Sequence, residues 1–195
     1  LYILGDLFEY WAGDDDLGAP FHQRICDTLR DLSKRGTRIC IMHGNRDFLM
    51  GEKLASACNA TPLADPALID LYGTLTLLTH GDTLCTDDAE YQRFRTMVRN
   101  SEWQSRFLNQ PLAQRKAQIE QLRAQSENQK QAKSMDIMDV NCDAVNELLR
   151  QHHYPRLVHG HTHRPAKHLH QVDGHTCERW VLGDWDSKAN ALHCD

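Results

Sequence analysis

The sequence predicts an α/β domain built on a mixed β-sheet, and three observations predict it. Short apolar runs end in a glycine beside a polar side chain at Leu4-Gly5-Asp6, His43-Gly44-Asn45, Thr79-His80-Gly81 and His159-Gly160-His161. Buried strands that carry side chains to the loops at one sheet edge read this way. Between the first two runs the apolar residues change to helical spacing, which makes a β-α-β unit. A pair of runs flanking Gly73 reads as a hairpin, so the sheet contains antiparallel as well as parallel neighbours.

Taken in order, Leu1 to Leu4 forms the first strand and hands Asp6 to its terminal loop. Leu7 to Gly13 is an aromatic-bearing loop, and the acidic run Asp14-Asp15-Asp16 is expected to be a solvated cluster at a helix N-terminus. Phe21, Ile25, Leu29 and Leu32 give a helix over Phe21–Arg35, with Gly36 just past its end. Arg38 to Met42 supplies the parallel partner of the first strand through a right-handed crossover. Gly51 to Ala60 reads as a short helix, and Pro62 and Pro66 mark a loop. Ile69–Tyr72 and Thr74–Thr79 are the hairpin strands.

From Thr86 to about Gln151 no strand is evident, and the good helix formers Gln, Arg, Lys, Ala and Leu dominate. A helical insertion is expected over about 86–151. Trp103, Phe107, Leu108 and Leu112 form its apolar stripe, while Arg106, Arg115, Lys116, Arg123, Lys130 and Lys133 form a basic one. A further amphipathic helix spans Met135 to Leu149, with Met138, Val145, Leu148 and Leu149 facing a core. Strand character returns from Arg156, through a histidine loop, to Arg179–Gly183.

The chain has 195 residues and is 41% hydrophobic, enough for a single domain over 1–195 and little more. A net charge of -5 argues against a non-specific nucleic-acid binder, which needs a basic excess. Seven cysteines without a Cys-x-x-Cys pair suggest neither a disulfide framework nor a zinc knuckle, so a reducing compartment is expected. No apolar run approaches the roughly 18 residues of a membrane-spanning helix. Because residue 1 already lies in a strand, the chain is expected to be N-terminally incomplete.

Asp6, Asn45, His80, His161 and His163 recur at strand ends in a way that turn chemistry alone does not supply. A mixed carboxylate, amide and imidazole set suits borderline to hard divalent ions. Phosphoryl transfer needs charge neutralisation and a nucleophile available near neutral pH, which two ions roughly 3.5–4 Å apart provide. Asp6 is the natural bridge between them. His161 and His163, two positions apart, face one side of an extended segment. Arg46 follows the Asn ligand, and a guanidinium there favours a phosphoanhydride, whose phosphate leaving group needs little protonation, over an alkyl phosphate ester.

Gly5-Asp6, Gly44-Asn45-Arg46-Asp47, His80-Gly81-Asp82 and Gly160-His161-Thr162-His163 resemble the motifs of calcineurin-like metallophosphoesterases. The longer stretches Tyr2 to Glu9, His43 to Leu49, His80 to Asp88 and His159 to Pro165, with Met138 to Asn141, resemble the family within them that cleaves UDP-2,3-diacylglucosamine in lipid A biosynthesis. That resemblance implies a mixed-sheet sandwich flanked by helices with a helical lid. It implies an Mn2+-dependent pyrophosphatase with two ions per site, in which metal-activated water attacks the α-phosphorus. Metal ligands then fall on Asp6, Asn45, His80, His161 and His163. Catalytic roles fall on Asp6, Asn45, Arg46 and His161, and substrate contacts on Asn45, Arg46, Asp88, Ser126, Lys130, Lys133 and His161, with Arg123 nearby. The family also carries an upstream Asp-x-His strand that this sequence does not contain. A monomer, peripheral on the cytoplasmic face of the inner membrane and without nucleic-acid partners, is implied as well. The alternatives are another phosphodiesterase or phosphatase of the same core, or a catalytically impaired scaffold.

Overall fold

The computed structural model describes residues 1–132, 139–185 and 191–194. The chain divides into two compact units, Leu1–Leu63 with Glu90–Ser134 and Ala64–Ala89 with Met135–Asp195.

The first unit holds a parallel three-stranded sheet in the order β1-β2-β3, with β1 at Tyr2–Ile3, β2 at Ile39–Ile41 and β3 at Ala60–Pro62. Helix α1, Pro20–Lys34, connects β1 to β2, and α2, Glu52–Cys58, connects β2 to β3. The expected β-α-β unit is therefore present, with Tyr2 opposite Cys40 and Ile3 opposite Ile41. Pro20 starts α1 where its missing N–H costs nothing, and Gly36, at φ 95, ends it in the left-handed region. Cys26 and Leu29 of α1 pack with Leu54 and Cys58 of α2 over Ile39 and Ile41. Strand β3 occupies the stretch expected to be loop. Proline is tolerated there because β3 is an edge strand, and pairing resumes at Leu63, whose N–H donates to the Ile41 carbonyl at 2.8 Å.

Three helices complete this unit: α3 at Ala89–Val98, α4 at Ser101–Leu108 and α5 at Leu112–Ala132. Asn100 caps α4 by accepting the N–H groups of Glu102 and Trp103. Trp103 and Phe107 stack with ring centroids 4.9 Å apart, and Phe107 is buried in the core with Phe8 and Trp11.

The acidic run is not a solvated cluster. Asp14 accepts the N–H groups of Gly51, Lys53 and Leu54 and so caps α2 from a distant loop. Asp15 accepts from Arg115, which is only 2% exposed and also donates to the Ala12 carbonyl. Asp16, itself buried, pairs with Lys116 at 2.6 Å. Each carboxylate is consumed by a partner that sequence separation concealed.

The second unit is a mixed sheet in the order β4-β5-β6-β8-β7: β4 at Ala67–Leu71, β5 at Thr74–Thr79, β6 at Arg156–His159, β7 at Ala166–Val172 and β8 at His175–Val181. β5, β6 and β8 run parallel, whereas β4 and β7 are antiparallel edges. Tyr72 and Gly73 both take positive φ, 53° and 82°, as a two-residue turn between right-twisted strands requires. Helix α6, Cys142–Gln151, is capped by Asn141 and buries Val145 and Leu149 with Leu77, Leu157 and Cys177. A helix was expected from Met135; residues 135–138, Met138 among them, lie outside the described residues, and α6 begins at Cys142. The helical stretch over 86–151 is thus shared, with Glu90 onward in the first unit and α6 in the second. Among the described residues, no helix is long and apolar enough to cross a membrane.

Candidate functional site

In the first unit the chain turns sharply after β1: Gly5 and Asp6 both lie in the left-handed region, at φ 89° and 53°. For an aspartate that conformation is costly and persists only where the surroundings hold it. Asp47 does the holding. Completely buried, its carboxylate accepts the N–H groups of Gly44 at 2.8 Å, Asp6 at 3.2 Å, Leu7 at 2.7 Å and Phe8 at 3.4 Å. One side chain thereby ties the loop after β1 to the loop after β2. The Asp6 carboxylate in turn accepts the Arg46 N–H at 2.8 Å, and the Arg46 Nε lies 3.6 Å from its second oxygen.

Gly44 lies hard against the loop after β1. A Cβ there would sit 2.1 Å from Asp6 Oδ1 and 2.3 Å from its backbone nitrogen, so no larger residue fits without moving the candidate ligand. Arg99, just past the end of α3, donates to the Gly44 carbonyl at 2.9 Å and lies over the Phe48 ring. Asn45, half-buried, is thus presented from a backbone fixed on both sides. The Arg46 guanidinium reaches Glu9, as does Arg123 of α5.

In the second unit His80 follows β5 and is 1% exposed. Asp65 positions it by accepting the Thr79 hydroxyl at 2.6 Å and the His80 N–H at 3.3 Å. His80 and His161 meet edge to face with ring centroids 5.0 Å apart. Ring nitrogens of the two lie within 4.8 Å of each other, which puts both imidazoles within reach of one ion. His161 and His163 both have positive φ, 64° and 55°, and the Gly160 N–H donates to the His80 carbonyl at 3.0 Å. His163 is more exposed and its Nδ1 lies 3.4 Å from an Asp184 oxygen.

Burial, with His80 adding to it, pushes His161 down to about 3, so the imidazole is held neutral, the form a metal takes. Burial also brings His159, directly behind it, to about 4. Its tautomer follows from its partners: the Gly160 carbonyl at 2.9 Å can only accept, so Nδ1 carries the proton, and Nε2 accepts from Arg179 at 3.1 Å. Arg179 further donates to His170 Nε2 at 3.0 Å, an internal brace for the strand that ends at the histidine loop.

Of the expected site residues, Asp6, Asn45 and Arg46 stand together in the first unit, and His80, His161 and His163 in the second. Asp88 is half-buried at the start of α3, and Ser126 is exposed on α5. The Lys130 backbone belongs to α5, but its side chain is outside the described residues, as is Lys133 altogether. Sequence reading assigned no role to Asp47, Asp65, Glu9 or Arg99. A carboxylate next to the Gly44-Asn45-Arg46 motif is a signal for Asp47, whereas Asp65 lies 14 residues before Thr79 and no local pattern marks it.

The family model of the calcineurin-like phosphoesterases matches residues 1–165. The chain is 57% identical over 195 residues to the UDP-2,3-diacylglucosamine hydrolase of Aromatoleum aromaticum, covering all of this chain and 79% of that protein. It is 50% identical over 196 residues to the UDP-2,3-diacylglucosamine hydrolase of Nitrosococcus oceani, covering all of this chain and 77% of that protein. To the enzyme of the same name from Aeromonas hydrophila it is 46% identical over 194 residues, covering all of this chain and 80% of that protein.

Proposed function

The chain belongs to the calcineurin-like phosphoesterase family, and on that premise we propose that it hydrolyses the pyrophosphate bond of UDP-2,3-diacylglucosamine in lipid A biosynthesis. It is a metal-dependent hydrolase of a phosphoanhydride. The observation that carries the reading is 46 to 57% identity, along the whole chain, to hydrolases of that substrate.

The products are UMP and 2,3-diacylglucosamine 1-phosphate. Water attacks the α-phosphorus, the bond to the bridging oxygen breaks, and the sugar phosphate departs. Asp6, Asn45, His80, His161 and His163 would hold two divalent ions, with Mn2+ the expected metal. Their donor set fits: an amide, a carboxylate and neutral imidazoles match such ions, and His161 is kept neutral by burial. When bound, the ions supply charge neutralisation and a more acidic water.

The remaining work falls to the protein. Asp47 and Asp65 fix the loops on which ligands sit. Arg46 supplies a cation for the phosphoanhydride, and a phosphate with a second pKa of about 6 leaves without full protonation. Asn45, Arg46, Asp88, Ser126, Lys130, Lys133 and His161 contact the substrate in this reading. Met97, Leu108 and Leu122 are exposed, as are Arg93 and Arg106 on the same helical stretch, a composition that suits acyl chains and an anionic surface. The protein then works as a monomer, peripheral on the cytoplasmic face of the inner membrane.

UMP release from UDP-2,3-diacylglucosamine, with and without Mn2+, tests the reading on this chain and on one extended upstream by an Asp-x-His strand. Mn2+-dependent release that is lost in His161→Ala is expected. No release from either chain would overturn it.

A further inference from the structure

We propose that Glu9 is a positioning residue whose carboxylate holds Arg46 and Arg123 side by side as one anion-binding pair for the substrate's pyrophosphate. The proposal rests on the function given above and adds to it a residue with no part in metal binding.

Arg46 lies in the loop after β2 and Arg123 in the middle of α5, and neither is placed by the other. Two guanidinium groups brought together repel unless an anion sits between them. Glu9 provides that anion: a single oxygen, Oε2, accepts from Arg46 at 2.6 Å and from Arg123 at 2.8 Å. Its backbone carbonyl takes a second Arg123 donor at 2.9 Å, and the guanidinium lies over the Tyr10 ring. Arg46 is approached from its other side by Asp6, so its guanidinium is fixed beside a candidate metal ligand.

The cluster is too open to be a strong staple for the fold. Glu9 is 67% exposed, Arg46 29% and Arg123 44%, and ion pairs so well solvated contribute little to stability. The same openness suits a site that receives an anion. Each guanidinium has five N–H donors, more than Glu9 engages, so both keep donors for phosphate oxygens while the carboxylate fixes their spacing.

The test is calorimetric binding of UDP, in the presence of Mn2+, to the full chain and to Glu9→Gln, Arg123→Ala and the double variant. Glu9→Gln should weaken UDP binding by about tenfold, as loss of a charge-assisted bond does. Arg123→Ala should cost a similar factor, and the double variant no more than the worse single, because both changes dismantle one pair. Thermal melting of each variant separates this from loss of fold. If Glu9→Gln does not fold, Glu9→Asp, which keeps the charge but shortens the reach, should lose UDP affinity with its melting temperature retained. Glu9→Gln binding within twofold of the parent, losses that multiply, or a parent that does not bind UDP would overturn the proposal. A parent that releases UMP while Glu9→Gln binds UDP normally sinks the clamp alone. Glu9-dependent UDP binding without UMP release sinks the hydrolase reading alone.

Discussion

Asp47 is the residue on which most of the first unit's site geometry depends. Four backbone N–H groups converge on its buried carboxylate, and one of them belongs to Asp6 in a left-handed conformation. Replacing Asp47 with Ala leaves those donors without partners and releases the strain at Asp6. A loss of about 3–5 kcal/mol in denaturant unfolding is expected. Gly44→Ala tests the same junction differently, since its methyl would collide with Asp6; Mn2+ affinity, read by calorimetry, should fall more than stability does. Asp15 gives a pH dependence of known sign. Its hydrogen bond with Arg115 holds the carboxyl below its ordinary value, against a smaller opposing effect of burial. Folding therefore gains from this pair above the unfolded value of about 3.9 and loses the gain as pH falls through the lower folded value. Acid unfolding of Asp15→Asn should show a shallower decline over that window than the parent. Equal slopes would show that Asp15 is not the group responsible.

Each strand-end element presents its polar residue through a glycine and a brace. β1 ends at Gly5-Asp6 braced by Asp47, and β5 ends at His80 braced by Asp65. β6 ends at His159, whose ring is fixed by Gly160 and Arg179. The helices after Glu90 follow different physics. α4 and α5 give Trp103, Phe107 and Ile119 to the core of the first unit, yet Leu108 and Leu122 on them, and Met97 on α3, are exposed. That residue pattern predicts sedimentation with anionic vesicles at low salt, weakening as salt screens the arginines. Changing Met97, Leu108 and Leu122 together to Ser should abolish it. No binding of the parent at low salt would remove the membrane from the account.

At the scale of the molecule, each unit has its own core, one around Phe8, Trp11, Ile39 and Leu54 and one around Leu77, Val145, Leu149 and Leu157. The expected ligands are divided between them, Asp6 and Asn45 in one and His80, His161 and His163 in the other. The sequence by itself determined the β-α-β unit, the hairpin at Gly73, the helical stretch that follows it and the motif positions. Apolar periodicity and glycine placement are local signals, readable within a few residues. It also carried the family, through strings of residues long enough to be specific. Only the tertiary structure decided what Asp14, Asp15 and Asp16 do, because α2 and α5, which supply their partners, lie far along the chain. The same holds for Asp47 across from Asp6, for Glu9 between Arg46 and Arg123, and for Pro62 as part of an edge strand. These are long-range pairings, and a linear pattern records which side chains can pair without recording which of them fold brings together.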